Sequence, residues 1–148
     1  MHVSKIILSC TAIALSSNLI AQSTAINMPT SLSGLKVAQS VLSGTGDYRH
    51  GAGQIFFANL SANKMQSWSH DNPKPSTVNY SYKVIDQPKG IAEIIGWHPD
   101  NKHNLKGVKY RLIMHFCSNT LGTFKTTVLT GGKGTSSGTF LVLGKHIF

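Results

Sequence analysis

Apolar and polar residues alternate along most of this chain. Within 77–85, Tyr80, Tyr82 and Val84 fall on one side and Asn79, Ser81 and Lys83 on the other. Within 108–117, Tyr110, Leu112, Met114 and Phe116 share a face opposite Lys109, Arg111, Ile113, His115 and Cys117. Phe124, Thr126 and Val128 repeat the pattern in 122–130. Successive side chains of a strand point to opposite faces, so a period of two predicts strands with one buried face. Shorter β-branched and aromatic runs at 35–42, 54–60, 64–70, 91–97 and 137–143 bring the predicted strands to eight. Turn residues punctuate them: Ser61-Ala62-Asn63, two prolines in 71–75, Asp86-Gln87-Pro88-Lys89-Gly90, a polar loop at 98–107, and Gly131-Gly132-Lys133-Gly134-Thr135. Helical periodicity is nearly absent after residue 33.

Consecutive short strands joined by mostly tight turns predict an all-β antiparallel meander. Closing it into an eight-stranded barrel removes the exposed edges. A two-sheet β-sandwich is the alternative. A barrel of this size is either filled by side chains or holds one small ligand.

The N-terminus follows another pattern. Lys5 precedes residues 6–20, which carry no charge and are rich in Ile, Leu and Ala. Ser16, Ser17 and Asn18 interrupt this run, and a membrane span needs roughly 20 apolar residues. Small residues then allow cleavage after Ala21 or Ala25. This order predicts a signal peptide at 1–25 and a secreted or periplasmic location. The stretch up to residue 33 lacks periodicity, so 26–33 is expected to form a flexible leader to one domain at 34–148. No later apolar run is long enough to span a bilayer, so no transmembrane segment is expected in the mature protein.

Charge narrows the partners. Fourteen Lys and Arg against five Asp and Glu give a formal net charge of +9, which falls by one when Lys5 leaves. Such a balance attracts anionic partners: envelope polysaccharide, lipid head groups or nucleic acid. The candidate surface is Lys83, Lys89, Lys102, Lys106, Lys109 and Arg111, with Trp97 and Tyr110 near enough to stack. Beyond residue 25 there is one cysteine, Cys117, so no internal disulfide is available and the core alone must hold the domain. Cys117 lies in an apolar stretch and is expected to be a buried small hydrophobe.

The order of several short motifs carries a resemblance. Tyr80-Ser81-Tyr82, Gly90-Ile91-Ala92-Glu93-Ile94, Tyr110-Arg111-Leu112, Phe116-Cys117-Ser118, Gly122-Thr123-Phe124 and Gly138-Thr139-Phe140 follow one another. This succession resembles a bacterial calycin-like, lipocalin-type barrel module over roughly residues 78–143. The resemblance implies a barrel with an interior cavity and brings no shared catalytic motif.

Catalytic candidates are sparse. His98 and His103, with Asp100 between them, have a spacing that could ligate a metal, but a structural site needs about four ligands and Lys102 adds repulsion. No metal or cofactor is therefore expected. His115 and Cys117 share a strand face, the geometry from which a thiol–imidazole pair could be built. Glu93 is the one acid inside a predicted strand, where glycosidase chemistry needs two opposed carboxyl groups. The run 131–138 lacks the spacing of a phosphate loop and no helix follows it, so it is expected to be a mobile hairpin turn.

The expected function is binding. Tyr80, Tyr82, Tyr110, Leu112, Met114, Phe116, Phe124 and Phe140 would face inward around a small apolar or amphipathic ligand. A secreted interaction protein working through the basic face is the alternative, and an enzyme using the cavity is a second.

Overall fold

All eight strands form, and they pair in chain order. The computed structural model describes residues 26–99 and 107–145; the expected signal peptide lies outside them. The strands are β1 (Leu35–Gly44), β2 (Ile55–Leu60), β3 (Lys64–Ser69), β4 (Ser76–Asp86), β5 (Ile91–Trp97), β6 (Lys109–Phe116), β7 (Leu121–Thr130) and β8 (Thr135–Lys145). Each is antiparallel to the next, and β8 returns to β1, so the sheet closes into a barrel and not a sandwich. The closing pair runs from Leu35 opposite Lys145 to Gly44 opposite Ser136, across two register shifts. That pairing extends β1 and β8 beyond the apolar runs that announced them. A short 3-10 turn, Gly46–Gly51, follows β1. Among the described residues no helix is long and apolar enough to cross a membrane.

The alternation translates directly into burial. Tyr110, Leu112, Met114 and Phe116 are buried, while Lys109, Arg111, His115 and Cys117 are exposed. Cys117 is therefore not the buried hydrophobe expected. The strand's period of two carries it outward regardless of the apolar residues beside it in sequence.

Glycines decide how the rings fit. A Cβ on Gly96 would overlap the ring of Tyr110, its partner across β5 and β6. One on Gly122 would come within 2.6 Å of the Phe140 ring, and one on Gly138 within 3.0 Å of Phe124. Both pairs are in register across β7 and β8. The two Gly-Thr-Phe motifs thus set an inward glycine two residues before an inward phenylalanine, and each glycine receives the other strand's ring.

One end of the barrel is closed by the stretch expected to be a flexible leader. Met28 and Leu32 are among the most buried side chains of the protein, at 2% and 1% exposure. The Tyr82 hydroxyl donates to the Pro29 carbonyl at 2.7 Å, and Gln87 Nε2 donates to the Ile26 carbonyl at 3.2 Å. Beneath this cap Phe116 and Phe140 meet edge to face, ring centroids 4.8 Å apart. The stretch packs because Met28 and Leu32, with Ile26 beside them, cover a barrel mouth that would otherwise be wet.

Two substitutions test this packing by thermal or urea unfolding. Gly96→Ala should cost about 1–3 kcal/mol, because a methyl has no room under Tyr110. Leu32→Ala should cost about 2–5 kcal/mol, the range for truncating a buried leucine; a cost near zero would mean that 26–33 does not cap the barrel.

Candidate functional site

The opposite end of the barrel is not filled. A cavity of about 350 Å³ runs inward from the end that carries the 3-10 turn, the β3–β4 turn and His98. Its deep wall is apolar: Leu32, Val37, Leu60, Met65, Val78, Ile94, Leu112, Met114 and Phe124. Toward the mouth polar groups join Val41, Phe56 and Trp68, with Gln39, Ser67, Ser69, Ser76, Thr126 and Ser136 on the strands and Asn72, Lys74 and His98 on the connections. Thr126 and Ser136 are both buried and stand opposite one another on β7 and β8. The cavity arises where facing residues are small: Ala58 on β2 and Ser67 on β3 are in register and give the aromatic wall nothing to pack against.

Of the eight residues expected to surround a ligand, Tyr110, Leu112, Met114 and Phe124 line this cavity. Tyr80, Tyr82, Phe116 and Phe140 also face inward, but they fill the closed half. The Tyr80 hydroxyl donates to the Ser61 carbonyl at 2.6 Å. Burial pushes the pKa of Tyr80 up and that of Tyr82 up to about 12, so both remain protonated donors at neutral pH. The resemblance covered only the second half of the chain, so the wall from β1 to β3 was missed. Its signal was present in the alternation of Val37, Gln39 and Val41 and of Phe56, Ala58 and Leu60.

The expected basic surface is dispersed and partly neutralised. Arg111 Nε sits 2.9 Å from Glu93 Oε2, and Lys83 stands beside Glu93 across β4 and β5. Lys89 is paired with Asp86 at 3.1 Å, and its hydrogen bonds hold the Asp86 carboxyl below its ordinary pKa. Lys89 lies at the closed end and Lys109 at the mouth end, so they cannot share one compact patch. Lys102 and Lys106 lie outside the described residues, as do Asp100 and His103.

The remaining candidates resolve individually. His98 lies at the cavity mouth with its ring tilted against Tyr110, centroids 6.0 Å apart. Among the described residues no cluster of three or more potential metal ligands occurs. His115 and Cys117 are on the outer surface, away from the cavity. The glycine turn is not free: Asp47 Oδ2 accepts from the Lys133 amide at 2.7 Å, and the Asp47 amide donates to the Lys133 carbonyl at 2.9 Å. An internal carboxylate thus occupies the amide that an external anion would need.

No protein-family model, curated protein or solved structure matches the chain.

Tyr82 gives a test with a defined sign. Tyr82→Phe removes one hydrogen bond to the cap and should cost about 1 kcal/mol near neutral pH. Because the folded pKa is raised, the contribution of Tyr82 is complete below its ordinary value of 10.0 and fades as pH climbs toward about 12. Urea unfolding on both sides of that window should show the wild type losing more stability than the variant; parallel losses would contradict the assignment.

Proposed function

We propose that this chain is an exported, calycin-like binding protein whose barrel holds one small apolar or amphipathic ligand. The observation that carries this reading is the cavity of about 350 Å³, apolar at depth and polar at its mouth, inside a barrel whose other half is filled. Protein interiors leave few voids larger than a water molecule, so a space of this size is not a packing irregularity. It falls within the roughly 300–1,000 Å³ range of small-molecule sites. At about 30 Å³ per water-sized group, it accommodates roughly a dozen non-hydrogen atoms.

The lining restricts the ligand's charge. Among the described residues it contains no Asp or Glu, and Lys74 at the rim is the one lysine. A cationic head group would find no counter-ion there, whereas a neutral or anionic one would sit beside Lys74 and the hydroxyl groups. Binding requires nothing more, while acid–base chemistry in the cavity would rest on His98 and Tyr110. Interaction through the dispersed basic residues has less support, since Glu93 and Asp86 already engage Arg111 and Lys89.

Native mass spectrometry of protein recovered from its own export route tests the reading. A mass excess that disappears on denaturation is expected, and Ala58→Phe, which fills the cavity from the small-residue wall, should abolish it with the fold intact. An unliganded mass that persists with decanol or decanoate present would overturn it.

A further inference from the structure

The outer wall of the barrel is two-sided in a way the cavity does not explain. One apolar row crosses five neighbouring strands. Leu121 on β7 stands opposite Leu141 on β8, and Leu141 stands opposite Ala38 on β1. Ala38 in turn pairs with Phe57 on β2, and Phe57 with Trp68 on β3. The Phe57 and Trp68 rings are stacked, centroids 5.9 Å apart. Leu121, Leu141 and the adjacent Leu143 are 48%, 42% and 47% exposed, on the outside of a barrel that has an ample core elsewhere. Isolated exposed leucines are ordinary, but a continuous row of them marks a contact surface.

Charge states what kind of surface it meets. The five strands of this wall contain no Asp or Glu and four lysines, Lys36, Lys64, Lys125 and Lys145. The acids of the sheet, Asp86 and Glu93, are on β4 and β5 across the barrel, where they pair with Lys89 and Arg111. Lys36 Nζ lies 5.9 Å from the centre of the Trp68 ring, so a cation borders the row directly. A second copy of the chain is a poor occupant. A two-fold contact would set these lysines against their equivalents with no acid on these strands to offset them, Asp47 and Asp71 lying beyond the strand ends at the cavity mouth. An apolar row with a tryptophan, on strands whose only charges are lysines, matches an anionic bilayer interface, with leucines reaching the acyl boundary and lysines at the head groups.

We propose that the β7–β8–β1–β2–β3 wall docks the protein side-on to an anionic lipid surface. The strands on the far side carry Lys83, Glu93 and Arg111 outward, so the barrel lies on the membrane and does not span it. This inference does not rest on the proposed ligand, although Trp68 also borders the cavity, and it uses a different face from Lys83, Lys89, Lys109 and Arg111.

The two tryptophans make it testable, since Trp68 is on this wall and Trp97 is on β5. The full chain is mixed with phosphatidylglycerol–phosphatidylcholine vesicles bearing brominated acyl chains. In Trp97→Phe, emission from Trp68 should shift to the blue and be quenched; in Trp68→Phe, emission from Trp97 should do neither. Co-sedimentation should weaken by about tenfold or more in the Leu121→Ser/Leu141→Ser double variant, weaken with added salt, and be far poorer with phosphatidylcholine alone. Equal quenching of both tryptophans, or salt-independent binding to neutral vesicles, would overturn the proposal. Binding untouched by the double variant would overturn it by assigning attachment to residues 6–20. Concentration-dependent dimers lost in the double variant would overturn it in favour of a second copy.

Discussion

The interior of this barrel is governed by one constraint: a large ring projecting from one strand needs a glycine on the next. An eight-stranded barrel is only just wide enough for side chains to meet across it. Tyr110, Phe140 and Phe124 each occupy space that a Cβ on Gly96, Gly122 or Gly138 would take. These pairs fix the registers of β5 with β6 and of β7 with β8, because a slip of one residue would turn both glycine and ring to the outside. They also divide the interior. Phe116, Phe140, Tyr80 and Tyr82 fill one half, with Met28 and Leu32 as its cap. The other half faces the small residues of β2 and β3 and stays open.

The outside of the same sheet is divided along a different line. Its paired charges gather on β4 to β6, where Glu93 meets Arg111 and Asp86 meets Lys89. The strands from β7 round to β3 carry lysines without acids, and a row of Leu121, Leu141 and Ala38 ends on a stacked Phe57–Trp68 pair. A chain with net charge +9 and five acids cannot neutralise its whole surface, and the two acids within strands, Asp86 and Glu93, stand on β4 and β5. The asymmetry belongs to the folded barrel, since the strands concerned are brought together only when β8 closes on β1.

Much of this was legible in the residues. Alternation in 77–85 and 108–117 gave the strands and their inward faces, and turn residues gave the hairpins between them. Two features were not legible, for physical reasons, and a third was legible but misread. Met28 and Leu32 are four residues apart in an aperiodic stretch, and only the open end of a finished barrel gives them a place to pack. Cys117 followed four buried alternate residues closely enough to look buried, although parity places it outside. The neutralisation of Arg111 by Glu93 depends on which strands become neighbours, which composition does not record. Four of the eight expected ligand contacts line the cavity because inward direction was readable, but depth along the barrel was not.

The most direct measurement of the division into a filled and an open half is xenon titration observed through methionine methyl resonances. Xenon enters empty apolar cavities without needing a specific ligand. Outside the expected signal peptide the chain has three methionines: Met65 and Met114 line the cavity, and Met28 lies in the closed half. The expected result is saturable shifts at Met65 and Met114 with Met28 unmoved. Shifts at none of the three, or equal shifts at all of them, would contradict a barrel filled at one end and open at the other.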